Sequence, residues 1–387
     1  MTPEARVAAA IDLLDQWLAG ADAEQALIRW ARTSRYAGSK DRAAIRDHVF
    51  DAIRCRRSFA ALGGGESGRG LMIGALRAAG CDPAGVFTGR GYAPAPLAPG
   101  EGAARTMTEA ERLDCPDWLV APLTKALGPD FAPVMEALRH RAPVFLRVNL
   151  ARTTCDEARA MLAEDGIATA PHPLSPGALE VSEGARRVAQ SRAYKTGLVE
   201  LQDAASQAVV DLLPVRPGAR VLDYCAGGGG KSLALAARGA VVSAHDSAPR
   251  RMADLPARAA RAGVEIECLA PGTARGGYDL VFADAPCSGS GAWRRAPQGK
   301  WDLTPEKLDE LCDVQAGILD EISYFVRAEG QLAYATCSLL MRENQAQVTA
   351  FHGRHPGWKT VAERRFTPLD GGDGFYVAHL TRLEKCK

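Results

Sequence analysis

The sequence predicts an α/β fold: a parallel sheet with helices on both faces, preceded by a small α+β unit and an all-helical front. Three observations predict it. Up to about residue 140 the apolar residues recur at helical spacing. The composition then shifts to a strand-like run at 144–149. Beyond residue 201, short apolar runs bounded by turn residues alternate with helical patterns, which predicts a parallel sheet.

At the front, Val7, Ile11, Leu14 and Leu18 set the helical period within residues 4–57. Nine basic residues (Arg29, Arg32, Arg35, Lys40, Arg42, Arg46, Arg54, Arg56 and Arg57) stand against three acids (Asp41, Asp47 and Asp51), a local +6 interleaved with Trp30, Tyr36 and Phe50. Two readings stay open for this stretch: a solvated helical face with its aromatics in the core, or a face that contacts phosphates. Residues 63–70 read as a flexible glycine break, and 89–104, rich in Pro, Gly and Ala, as a linker or long surface loop. Helical patterns return at 118–127 and 131–141. In the middle unit a strand is expected at 144–149, a helix capped by Thr154, and weaker strands at 167–170 and 178–181. Strands are then expected at 220–224, 241–244, 264–269, 278–283 and 331–335, with helices at 231–238, 248–262 and 305–326. Residues 375–378, after a glycine turn, are expected to pair antiparallel at the sheet edge.

The 387 residues exceed one ordinary domain, so two or three are expected. With 47% hydrophobic and 24% charged residues the chain reads as globular, and a net charge of +1 excludes a global nucleic-acid footprint. Residues 1–26 carry acids and lack the pattern of a signal peptide or membrane span, so no membrane partner is expected. The ten cysteines include no C-x-x-C pair, which argues against zinc and thioredoxin-like centres; no metal is expected. Unpaired thiols in a large chain point to a reducing cytoplasm, most of them as inert core residues.

The chemistry concentrates at strand ends. Val221-Leu222-Asp223-Tyr224-Cys225-Ala226-Gly227-Gly228-Gly229-Gly230-Lys231-Ser232 is a strand, a glycine loop and a helix start. Such a loop lets the backbone approach a ligand and offers helix N–H groups to an anion. A P-loop fails because its first glycine falls at Cys225, and a dinucleotide fingerprint fails because its third falls on Ser232 or Leu233. A methyl donor, which carries a carboxylate and no pyrophosphate, needs only one such turn. Asp246, ending the next strand, is placed to accept from ribose hydroxyls. A nucleotide-binding or non-catalytic fold is the alternative.

Two further strand ends carry thiols: Asp284-Ala285-Pro286-Cys287 and Thr336-Cys337-Ser338. If their strands are neighbours, both cysteines face one crevice beside the glycine loop. Two thiols suit methylation of cytosine carbon 5, which is too weak a nucleophile unaided. A thiolate adding at carbon 6 makes carbon 5 enamine-like. Asp284, protonated or sharing a proton, can hold the base at N3 and its amino group. The second thiol assists loss of the carbon-5 hydrogen. Residue logic alone does not choose which cysteine attacks.

These paired motifs resemble the signatures of the RNA 5-methylcytosine methyltransferases, the Sun (RsmB-like) and Nop2 group. Further segments are similar to that family: Gln202-Asp203-Ala204-Ala205-Ser206, Arg147-Val148-Asn149, Arg294-Arg295 with Lys300-Trp301, and Asp370-Gly371-Gly372-Asp373-Gly374-Phe375. Arg35-Tyr36-Ala37-Gly38-Ser39-Lys40-Asp41-Arg42 is similar to the NusB-like helical domain of its bacterial small-subunit rRNA branch. The resemblance implies a helical NusB-like RNA-binding domain (1–140), a small α+β, RRM-like RNA-binding subdomain (141–195), and a Rossmann-like class I methyltransferase domain (196–387). It implies S-adenosyl-L-methionine as cofactor and RNA as substrate, rRNA first and tRNA second. A catalytically silent assembly factor is the alternative from another class. It also implies that Cys337 is the nucleophile, that Cys287 assists release, and that Cys225, Ala226, Gly227, Gly228, Gly229, Gly230, Lys231, Asp246 and Asp284 line the cofactor and base. Two departures stand out. The family's loop usually reads C-A-A-P-G-G-K, whereas Gly227 and Gly228 replace Ala and Pro here. The acid expected near adenine is missing from Ala270-Pro271-Gly272-Thr273, which leaves Thr273 or backbone groups to substitute.

Overall fold

In the computed structural model, which describes residues 1–383, side-chain caps fix the starts of three N-terminal helices. Thr2 accepts from Ala5 N, Asp22 from Gln25 N and Ser67 from Gly70 N. They open α1 (Pro3–Leu18), α2 (Ala23–Thr33) and α5 (Gly68–Ala78); α3 (Ser39–Arg54) and α4 (Arg56–Gly63) lie between. Leu13, Leu14, Ile45, Ile53 and Leu71 are buried in their common core. The expected glycine break has another purpose. A Cβ on Gly63 would lie 1.8 Å from the Gly70 carbonyl oxygen, and one on Gly74 would lie 1.9 Å from that of Phe59. These glycines let α4 and α5 pack backbone to backbone.

This compact unit comprises Met1–Arg141 and, from far along the chain, Trp293–Asp302. Within it Lys300 is buried, its Nζ donating to the Arg54 carbonyl at 3.0 Å, and Trp301 Nε1 donates to the Ile53 carbonyl at 2.7 Å. Burial pulls the Lys300 ammonium down to about 8, against the opposing charge of Asp114.

The second unit holds Ala142–Ala292 and the described residues from Leu303 onward. Its small antiparallel sheet has the order β2-β3-β1-β4, from β1 (Val144–Val148), β2 (Ala168–Pro171), β3 (Ala178–Glu183) and β4 (Val199–Leu201). The Thr154–Glu157 capping box starts the helix Cys155–Glu164. Because β4 pairs with β1, this sheet runs past the boundary expected at 195/196.

The large sheet has the order β10-β11-β9-β8-β5-β6-β7. Its strands are β5 (Arg220–Asp223), β6 (Val241–Ala244), β7 (Ile266–Cys268), β8 (Tyr278–Asp284), β9 (Val326–Thr336), β10 (Trp358–Phe366) and β11 (Phe375–Arg382). Strands β5 to β9 are parallel, and Leu222, Val281, Phe282, Ala283, Leu332 and Tyr334 are buried as near-continuous apolar runs. The strand order reverses between β5 and β8, and in such sheets the ligand crevice lies beyond the carboxyl ends at that point.

Three expectations need correction. The segment 375–378 belongs to β11, which does pair antiparallel with β9 but is interior; the edge is β10, where Lys359, Glu363 and Arg364 give a charged border. The helix expected at 248–262 splits into a 3-10 turn, Pro249–Met252, and the helix Leu255–Ala262. Two prolines, Pro249 and Pro256, each sit in the first turn of a separate helix, where a missing N–H costs nothing. Of the nine described cysteines only Cys55 and Cys115 are fully buried, so most are not core residues; Cys386 lies outside the described residues. Among the described residues no helix is long and apolar enough to cross a membrane, and no group of His, Cys, Asp or Glu is arranged to hold a metal ion.

Candidate active site

Strand β8 delivers Asp284, and the register pairs it with Ala335 of β9, two residues before Cys337. This places the two expected thiols together, with Cys287 Sγ 3.4 Å from Cys337 Sγ. The glycine loop after β5 closes the other side. A crevice of about 460 Å³ is lined by Cys225, Gly227, Lys231, Asp284, Cys287 and Cys337, among others.

Lys231 is the electrostatic centre. Its Nζ lies 2.6 Å from Asp284 Oδ2 and 4.9 Å from the centre of the Phe375 ring. Burial, the largest single influence, pulls its pKa down. The charge and hydrogen bond of Asp284, with further help from Cys337 and Asp223, outweigh burial and hold it above its ordinary value. Asp284 therefore stands as half of an ion pair with Lys231. The hydrogen bond to Cys337, and then burial, push the Cys287 thiol well up. Burial pushes Cys225 up as well.

The loop conformation accounts for one departure. Gly227 has φ +53°, a left-handed value that favours glycine, and its N–H donates to Asp246 Oδ2 at 2.9 Å. Gly229 has φ +78°, and a Cβ there would lie 2.2 Å from Leu255 Cδ1. Asp246 is buried and fully engaged: Oδ1 accepts from Ala248 N, and Arg251 Nη1 stands 3.1 Å from Oδ2. Neither Asp246 nor Gly229 lines the crevice, while Arg251 does. The segment 270–273 does not line it either; the Thr273 hydroxyl donates to the Ala270 carbonyl.

Several residues that matter here were not singled out from sequence. Asp223 lines the crevice at the end of β5. Its Oδ2 accepts from Ser232 Oγ at 2.6 Å, while the buried Oδ1 has no hydrogen-bond partner. Gln202 lines it too, with Oε1 likewise without a partner. Glu343 is fully buried behind the thiols. Its carboxylate accepts from Ser288 N at 2.7 Å, from Gln315 Nε2 at 3.0 Å and from the hydroxyls of Ser288 and Ser338. It thus ties together the residues that follow each cysteine. An acid at a strand's carboxyl end was a usable signal for Asp223; nothing local distinguishes Glu343.

The segments quoted around the site also converge. Asp203 Oδ1 accepts from Ala205 N and Asp373 N, joining 202–206 to 370–375. Gly374 N donates to the Gly291 carbonyl at 2.9 Å, bracing the loop after Cys287. Arg147 Nη1 donates to the Gly230 carbonyl at 3.3 Å, linking the small sheet to the glycine loop.

Burial holds the Asp223 carboxyl up at about 7, from an ordinary 3.8. The folded protein therefore binds more protons than the unfolded chain between those values, so this group's contribution to stability falls as pH rises from 3.8 through 7. Asp223→Asn is expected to raise the melting temperature of the ligand-free protein by several degrees at pH 8, given about 1.4 kcal/mol per pKa unit as an upper bound. The gain should be much smaller at pH 5. Melting curves at both pH values check this, and an equal gain at both would show that charge is not the burden.

Residues 210–381 match the family described as 16S rRNA methyltransferase RsmB/F, and residues 115–187 match its RsmF/B-like ferredoxin-like domain. Ribosomal RNA small subunit methyltransferase B of Citrobacter koseri is 33% identical over 292 residues, covering 71% of this chain and 68% of that protein. The protein of the same name from Yersinia pseudotuberculosis is 32% identical over 284 residues, covering 69% of this chain and 66% of its own length. The matched region thus spans about two thirds of these relatives. Among solved structures, PH0851 covers 99% of both chains with a TM-score of 0.79 at 21% identity. A methyltransferase homolog protein from Pyrococcus horikoshii covers 71% of this chain and 98% of its own, with a TM-score of 0.63 at 20% identity; both likenesses bear on the fold alone. With its parallel sheet, its small ferredoxin-like unit and its helical front, the chain belongs to the 16S rRNA methyltransferase RsmB/F family.

Proposed function

We propose that this chain is an S-adenosyl-L-methionine-dependent RNA cytosine-C5 methyltransferase acting on small-subunit rRNA in the cytoplasm. The observation that carries the reading is the pair of thiols 3.4 Å apart at adjacent strand ends, beside the Lys231–Asp284 ion pair. A silent assembly factor has no use for that arrangement. The names of the relatives favour rRNA over tRNA.

The crevice fits the cofactor. Its glycine loop leaves backbone exposed to a ligand, and the unpartnered Asp223 Oδ1 suits an ammonium group. Cys225, Ala226, Gly227, Gly228, Gly230 and Lys231, with Asp223 and Gln202, would hold the cofactor. Asp246 would reach ribose hydroxyls once Arg251 moves aside. When bound, S-adenosylmethionine supplies an electrophilic methyl group.

The chain's own residues do the rest. Cys337 adds as thiolate to carbon 6 of a captured cytosine, making carbon 5 nucleophilic. Asp284 accepts from the base's amino group, and Lys231 supplies a proton toward N3 as charge develops. After methyl transfer the carbon-5 proton passes to water with Cys287 assisting, N3 returns its proton to Lys231, and the Cys337 thiolate is expelled. Glu343 positions both thiol loops through its serine contacts. The small sheet and the helical unit would bind flanking RNA.

Purified protein supplied with the methyl donor should place 5-methylcytosine in small-subunit rRNA and not in tRNA, as read by base-resolution mapping. Labelling of tRNA alone would move the substrate, and no labelling of either would sink the enzymatic reading.

A further inference from the structure

The glycine loop of the candidate site has a conformational cost that its own residues do not meet. Gly227, Gly228, Gly229 and Gly230 stand in succession, and no residue type loses more backbone freedom on ordering. Gly227, Gly228 and Gly230 line the crevice, so a wandering loop would leave a ligand there without a defined seat. Such a loop has to be held from outside.

Two arginines hold it. Arg258, on the helix Leu255–Ala262, donates through Nη1 to the Gly228 carbonyl. Arg147, on β1, donates through Nη1 to the Gly230 carbonyl at 3.3 Å. Neither arginine lines the crevice, so both grip the loop from behind. Glu200 of β4 stands near both, with its side chain only 9% exposed. Its Oε1 lies 3.4 Å from Arg258 Nη2, and its Oε2 accepts from Arg261 Nη2 at 2.7 Å. Burial pulls the Arg147 guanidinium down to about 10, against the opposing charge of Glu200. An ion pair between that helix and β4 would need no contact with the loop; the Gly228 carbonyl gives Arg258 a second task. Gly228 itself fits this reading. Its φ is not left-handed, so the backbone alone does not demand glycine there. A Cβ at that position would lie 3.1 Å from Arg258 Nη1, in the space beside the guanidinium.

We propose that the Glu200–Arg258 pair is a strut that positions the cofactor loop, and that glycine stands at 228 to admit it. The inference rests on the loop holding S-adenosyl-L-methionine, and it adds a positioning residue outside the crevice, anchored on the small sheet. It also gives the second departure in the loop a cause: Gly227 answers to its φ, and Gly228 to the guanidinium beside it.

The test uses the full chain and S-adenosylhomocysteine as the probe, titrated by calorimetry. Arg258→Ala should weaken its binding at least about tenfold, as for loss of a hydrogen bond from a charged donor. In methyl transfer to rRNA the same variant should raise KM for S-adenosylmethionine and leave kcat unchanged. Hydrogen exchange of peptides covering residues 226–231 should quicken in the ligand-free variant. Gly228→Ala should then act with opposite signs. In the wild type its Cβ displaces the guanidinium and weakens binding; with Arg258→Ala it stiffens a loosened loop and recovers part of the affinity. An Arg258→Ala protein that melts earlier yet binds the probe as the wild type does would overturn the strut and leave the cofactor reading intact. So would Gly228→Ala weakening binding equally in both backgrounds. If Arg258→Ala fails to fold, Gly228→Ala alone decides, because without a strut it would leave affinity unchanged or tighten it. A wild type that does not bind the probe would bring down the cofactor reading and the strut with it.

Discussion

Cys337→Ala should abolish methyl transfer, a fall on the order of 10⁴-fold or more as expected for loss of a covalent nucleophile. It should also abolish any RNA adduct that survives denaturation. Cys287→Ala should behave differently: turnover falls by about 10²- to 10⁴-fold, the usual share of acid–base assistance, while the adduct accumulates on Cys337. The asymmetry has a physical basis in the site. Cys287 is held protonated by its bond to Cys337 and by burial, and a thiol that keeps its proton is a poor nucleophile. Cys337 lies close enough to the Lys231 ammonium to be among the groups that hold that charge. Gel shift under denaturing conditions and mass spectrometry of the linked peptide read the outcome. An adduct on Cys287 that persists in Cys337→Ala would reverse the assignment.

Parts of this architecture were legible in the residues, and the reason differs from element to element. Strands β5, β8 and β9 are buried over 221–222, 280–283 and 332–335, so each carries a short apolar run that ends in a loop carrying acid, glycine or thiol, whereas the first half of β9, with Arg327 and Glu329 exposed, lacks one. Strand β10 gave no such signal. Its exposed residues mix Lys359, Glu363 and Arg364 with Thr360, Val361 and Ala362, and such an edge strand shows neither an apolar run nor alternation. The glycines at 63, 70 and 74 punctuate the sequence as a break does, yet their cause is a close helix crossing that only three dimensions reveal. Glu343 stands in the polar run Arg342-Glu343-Asn344, which reads as a surface turn. Its burial follows from four donors, three of them on Ser288 and Gln315, which come from other parts of the chain. Lys300 is similar: a lysine beside a tryptophan reads as surface, but the segment is taken into the helical unit. Asp246 is the instructive case among the site residues. The sequence located it at a strand end, and it is there, but both carboxylate oxygens already hold the loop and Arg251.

Lys231→Met should be the most damaging change outside the thiols, and its two consequences should separate. The ammonium sits 2.6 Å from Asp284 with little water around it, and Asp223, Asp284 and Cys337 all draw on its charge. Removing it leaves Asp284 as an uncompensated charge, an error that costs about 3–5 kcal/mol in a fully buried pair and less here, because the Asp284 side chain is 29% exposed. The rate should fall by about 10³-fold, comparable to losing a preorganised electrostatic donor. Adding Asp284→Asn to Lys231→Met removes the orphaned carboxylate and should restore most of the melting temperature. Activity should not return, because neither the amino-group acceptor nor the proton source remains. A scaffold role for the pair predicts the opposite: single-turnover rates that recover along with stability in the double variant. The sign of that recovery therefore decides whether the ion pair merely holds the glycine loop against β8 or carries charge during the reaction.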